Sequence, residues 1–108
     1  MMPGDLDCVP LVCPPDQRYS AAQLREVARC DAIFTHGTYV PAPVLDAAQR
    51  ARICQAAGSG YEKIDLAAAT RNRILVCNNA GTNSHRVADF TLLAILALLR
   101  NFVNTVIA

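Results

Sequence analysis

Residues 31–58, DAIFTHGTYVPAPVLDAAQRARICQAAG, decide the fold. The opening DAIFT is a short run with β-branched and aromatic side chains. It reads as a strand entering the loop His36-Gly37-Thr38. Pro43 suits the first turn of a helix, where its missing N–H would be unpaired anyway, and Val44, Leu45 and Ala48 then share one helical face. Residues 52–57, RICQAA, form a second strand stopped by Gly58. Strand, helix and strand in this order make a crossover unit, which joins parallel strands and is almost always right-handed.

The same alternation extends both ways. Upstream, residues 8–13 (CVPLVC) are apolar and precede the breaker cluster Pro14-Pro15-Asp16. A first strand is expected there, with Pro10 placing it at a sheet edge because proline lacks a ladder donor. Ser20 with Gln23 forms a capping-box pattern, and Leu24, Val27 and Ala28 fall on one face of a first helix ending near Arg29. Downstream, Asp65 is a good N-cap for a short helix through Arg71, and residues 74–77 give another strand. A last helix starts at Asn83 or Ser84 and runs toward the C-terminus. Its Val87, Ala88, Leu92, Ile95, Leu96 and Leu99 are dense enough to predict burial on more than one side. The fold class expected is α/β: a flavodoxin-like parallel sheet with flanking helices, an incomplete half-domain ending in a long apolar helix. In such sheets ligands sit beyond the carboxyl ends of the strands, here the loops at 36–38, 58–61 and 78–84.

Composition bounds the function. At 108 residues the chain is one domain at most, small for an enzyme with its own dinucleotide site. Apolar residues make up 53% and charged residues 18%, which predicts exposed apolar surface on so small a body. A net charge of +1 with scattered basic residues offers no phosphate-backbone footprint, so no nucleic acid partner is expected. Five cysteines without a C-x-x-C pair read as reduced, mostly buried thiols of a cytoplasmic protein. Two widely separated histidines and no paired cysteines argue against zinc, the sharper alternative. Residues 1–6 lack the basic and apolar regions of a secretory leader. The apolar run 90–99 is about half the roughly 20 residues of a membrane span, so no membrane partner is expected.

Gly58-Ser59-Gly60 after a strand invites a dinucleotide-binding reading, but Lys63 stands where G-x-G-x-x-G needs its third glycine. Two glycines still let the backbone turn sharply and aim successive N–H groups at a small anion. Taken alone, the pattern is a weak signal, and a strained turn without ligand accounts for it better.

Context changes this. Residues 57–100 read AGSGYEKIDLAAATRNRILVCNNAGTNSHRVADFTLLAILALLR. The stretch resembles, without a gap, the pattern of D-isomer-specific 2-hydroxyacid dehydrogenases: A-G-x-G-Y-[DE]-x-[IV]-D, A-A, V-x-N-x-x-G-x-N, then V-A-[ED]-x-T and an apolar helix ending in arginine. The resemblance implies a protein about three times this length, with two α/β domains around a cleft and NAD or NADP as cofactor. Residues 1–108 would be the N-terminal portion of its substrate-binding domain, without the NAD-binding Rossmann domain. The family's catalytic arginine, acidic residue and histidine would all lie downstream, so no catalytic residue is expected in this chain.

The resemblance implies that Ser59 and Gly60 hold a substrate carboxylate through backbone amides, and that Asn83 contacts a small 2-hydroxy or 2-keto acid. Asn83 is also placed to cap the last helix, and the two roles can coexist. Thr91 matches a helix position facing the cofactor across the cleft; its alternative is a threonine bonding its own helix backbone. His36 has no family motif behind it and reads as a bystander, and His85 as solvent-facing. Asp89 replaces a more usual glutamate, Ala80 a common proline, and Ser59 a usual aliphatic residue. The last leaves the backbone contact intact and puts the substrate identity in doubt.

The implied function is that of an oxidoreductase subdomain, inactive alone, partnered by a missing Rossmann domain or a complementary chain. A non-enzymatic interaction module and a free-standing carboxylate-binding domain are the rival readings. The apolar last helix predicts a chain that is marginal in isolation, oligomeric or aggregation-prone, with a homo-oligomer expected.

Overall fold

A computed structural model of the protein describes residues 8–107. Residues 1–6, read above for a leader, lie outside the described residues. The elements run α1 (Ala21–Arg29), β1 (Ala32–Thr35), α2 (Ala42–Ala47), β2 (Ile53–Ala56), α3 (Leu66–Arg71), β3 (Leu75–Cys77), α4 (Ser84–Leu99) and α5 (Phe102–Ile107). The three strands pair in parallel in the order β1-β2-β3, with Ile33 opposite Cys54 and Cys54 opposite Val76. The crossover reading of residues 31–58 is therefore correct.

Local signals set the helix starts. Ser20 and Gln23 make both bonds of the capping box: Gln23 N–H donates to Ser20 Oγ at 3.3 Å, and Ser20 N–H to Gln23 Oε1 at 2.9 Å. Asp65 caps α3 by accepting from Ala68 N–H at 2.9 Å. Asp65→Ala should therefore cost about 1 kcal/mol, seen as a lower urea midpoint with unchanged slope; an unmoved midpoint would show that the cap carries no net stability. Between helices, the exposed Asp46 on α2 accepts from Asn72 Nδ2 at 2.6 Å and Arg71 at 2.7 Å. Asn72 first, then Arg71, hold its carboxyl below the ordinary 3.8. This clamp favours the fold above that pH and is lost as pH falls through the lowered value.

α1 packs on α2 and α2 on α3, so all three helices cover one face of the sheet. Leu45 and Cys54 are fully buried in the core between, with Val27 of α1, Val44 of α2, and Ala68 and Ala69 of α3. The period of two along the strands puts Cys54 and Ala56 inward. Phe34 and Leu75, on the opposite face, are exposed. No helix among the described residues covers that face.

Two expectations fail. Residues 8–13 form no strand; the segment is irregular. Pro10 lacks a donor, and Pro14 and Pro15 follow at once, so the run cannot sustain a ladder. The last helix is present, but none of its residues is buried, and only Ala94 and Ala97 are less than exposed. Its composition suited burial, yet within these residues it contacts only α5, beyond a break at Arg100 and Asn101, where Asn101 has φ 49°. The radius of gyration, 19.5 Å, far exceeds the roughly 13 Å of a compact 100-residue domain, because α4 and α5 project from the body.

Candidate functional site

β1, β2 and β3 all end at the same edge of the sheet, which brings the loops at 36–38, 58–61 and 78–84 together as expected. Side-chain and backbone hydrogen bonds tie them. Asn78 Nδ2 donates to Ser59 O at 2.7 Å, Asn79 N–H donates to Gly58 O at 2.9 Å, and Lys63 Nζ donates to Gly37 O at 2.7 Å. The Lys63 ammonium also lies 5.1 Å from the centre of the Tyr39 ring. Gly37, at φ 67°, supplies the left-handed turn that exposes its carbonyl.

These ties leave the glycine loop's donors free. The carbonyls of Gly58 and Ser59 are taken, whereas no backbone hydrogen bond among the described residues uses the N–H of Ser59, Gly60 or Tyr61. Ser59 and Gly60 are exposed. A run of uncommitted amides at the carboxyl end of a strand is suited to a carboxylate or similar small anion. Glu62 leans over this loop: its Oε2 lies 2.7 Å from where a Cβ on Gly60 would sit. Any side chain at 60 would have to push that carboxylate aside.

Asn83 occupies the N-cap position of α4 but makes no side-chain cap bond, so its amide is not spent on the helix. Thr91 is exposed and donates from Oγ1 to Val87 O at 2.7 Å, which is the backbone bond of the alternative reading. Its donor is engaged; its lone pairs are not. His36 is exposed with no site bond from its side chain, and His85 is exposed on α4. Asn78, Lys63 and Glu62 were missed as site residues. The only sequence signal for them was their place within the matched stretch, since a tie between loops distant in sequence leaves no local pattern.

Gly58-Ser59-Gly60 lacks the dinucleotide fingerprint: Lys63 fills the place of the third glycine, and the next helix, α3, begins only at Leu66. No group of three metal-ligating side chains occurs among the described residues.

Residues 9–107 match the family model of the D-isomer specific 2-hydroxyacid dehydrogenase catalytic domain. The chain belongs to this family. It is 36% identical to human D-3-phosphoglycerate dehydrogenase over 78 residues, 71% of this chain and 15% of that protein. It is also similar to the NAD-dependent formate dehydrogenase of Staphylococcus aureus, solved in complex with NAD, at TM-score 0.63 and 27% identity over 76% of this chain and 26% of that one. A Granulicella formate dehydrogenase gives TM-score 0.64 and 28% identity, covering 72% and 22% of the two chains. This chain thus spans about 15% of the curated relatives it matches. The dehydrogenase resemblance read from residues 57–100 is correct.

Proposed function

We propose that this 2-hydroxyacid dehydrogenase family chain is part of an NAD(P)-dependent oxidoreductase acting on the CH–OH group of small 2-hydroxy acids, and that it supplies the loop holding the substrate carboxylate. The uncommitted amides of Ser59, Gly60 and Tyr61 carry the reading. They would bind the carboxylate, while Asn83, free of its cap, donates to a second oxygen. Thr91 lies on α4 as a cofactor-side contact that accepts through its hydroxyl oxygen. No residue of the chain is assigned a proton or hydride step. Those belong with a Rossmann domain or complementary chain, in a cytoplasmic assembly that is a homo-oligomer. No helix among the described residues is long and apolar enough to cross a membrane.

The test is a titration of the chain with pyruvate, followed at the Ser59 and Gly60 amides by NMR. A charge-assisted bond contributes about 1.5–3 kcal/mol, so Ser59→Pro, which removes one donor and keeps the carbonyl that Asn78 holds, should weaken binding roughly tenfold or more. Amides indifferent to the acid at tens of millimolar, in a chain that keeps its circular dichroism, would exclude the loop as a carboxylate site.

A further inference from the structure

A cavity of about 280 Å³ lies at the carboxyl end of β3, walled by Tyr61, Leu66, Val76, Cys77 and Asn78. It adjoins the glycine loop through two shared residues. Tyr61 supplies one of that loop's uncommitted N–H groups, and Asn78 Nδ2 donates to Ser59 O at 2.7 Å. None of the lining residues is charged, and Leu66, Val76, Cys77 and the Tyr61 ring make the wall mostly apolar. Tyr61 and Leu66 are close to half exposed, so the cavity is open to an entering group. Lys63, close in sequence to Tyr61, is engaged on the other flank of β2, at Gly37 O of the β1 loop.

We infer that this cavity receives the C2 substituent of the bound acid, and that the substrate class is 2-hydroxy acids with an uncharged, benzyl-sized side chain; the inference rests on the glycine loop holding the carboxylate. Reach selects the size. The ends of β2 and β3 are one strand spacing apart, about 4.8 Å. With carbon–carbon bonds of about 1.5 Å, a methyl on C2 stays over the loop, whereas a ring carried on C3 has its centre about 5 Å from the carboxylate carbon. Volume agrees. An apolar cavity of about 150 Å³ holds a benzene ring, so this one has room for the ring and the methylene that carries it. Charge selects against the alternatives, since a phosphate or a second carboxylate would give up its hydration with no cation among the lining residues to replace it. Leu66 and Tyr61 are then the specificity-determining residues, Leu66 by apolar contact and Tyr61 by stacking or edge contact with the ring.

D-Lactate, D-phenyllactate and D-malate are titrated separately into the full chain. NMR at the Ser59 and Gly60 amides reports the carboxylate, and the Leu66 and Val76 methyls report the cavity. D-Phenyllactate should bind about tenfold or more tighter than D-lactate, shift the methyls of both residues and slow the alkylation of Cys77 by iodoacetamide. Leu66→Ser should bring the two acids to within about threefold of each other, and Leu66→Met should keep them apart. Leu66 is 45% exposed, so neither change opens the core. Amides that respond alike to D-lactate and D-phenyllactate, with silent methyls, would overturn the inference and leave the carboxylate site standing. Tighter binding of D-malate than of D-phenyllactate would overturn it in the same way. Amides silent to all three acids would overturn the carboxylate reading, and this inference with it.

Discussion

Leu45→Ala is expected to leave most of the chain unfolded in buffer at 25 °C. Leu45 is completely buried on α2, the middle helix of the covering layer. Five of the twelve core residues are alanine, and Leu45, Ile64 and Ile74 are the only leucine or isoleucine among them. Removing a buried leucine side chain costs about 2–5 kcal/mol. A core this small rarely supplies more than about 3–5 kcal/mol in all, so the loss is comparable with the whole margin. Far-UV circular dichroism across a urea titration would show a folded baseline that is shortened or missing. Leu98→Ala is the control: Leu98 is 80% exposed on α4 and its loss should shift stability by less than about 0.5 kcal/mol. If the two variants unfold at the same midpoint, the core lies elsewhere.

The second large effect is chemical. Burial first, and the neighbouring Cys77 second, push the Cys54 thiol up from 9.0 to about 11. The thiolate is the nucleophile, and a rise of two units leaves roughly a hundredfold less of it at pH 8. Cys54 is also fully inaccessible, whereas Cys8 is exposed. Iodoacetamide at pH 8 should therefore alkylate Cys8 at least a hundredfold faster than Cys54, with the difference abolished in denaturant. Comparable rates in the folded chain would mean that the β2 core opens freely. Linkage gives the sign for stability. The folded state holds this proton more tightly than the unfolded one, so its contribution is full below pH 9.0 and is lost as pH rises toward 11.

These two residues also show what was legible. Leu45 and Cys54 fell within a periodic helix and a short apolar strand, so the crossover, the cap at Asp65 and the capping box at Ser20 followed from local pattern. Residues 8–13 have the apolar content of an edge strand, but three prolines in the eight residues 8–15 remove the donors that a ladder needs. The last helix misled differently: its composition reports burial, but burial is a relation to a second surface, and no periodicity says where that surface is. At the site, Ser59, Gly60 and Asn83 came from the family resemblance, and the structure adds that their donors are uncommitted. Asn78, Lys63 and Glu62 act across loops separated by up to 26 residues, a relation only the folded chain displays.

The projection of α4 has a consequence for cooperativity. Helices of fewer than about 12–15 residues are marginal in water on their own, and most helical stability in proteins comes from tertiary packing. α4 has 16 residues and no packed layer against it among the described residues. Its helicity is governed by the helix–coil balance of its own sequence and only weakly by the β1-β2-β3 body. On heating, the chain should lose part of its ellipticity gradually, before the sharp loss that marks the body, so a single melting temperature would describe the sheet and its three helices and leave the projecting arm out.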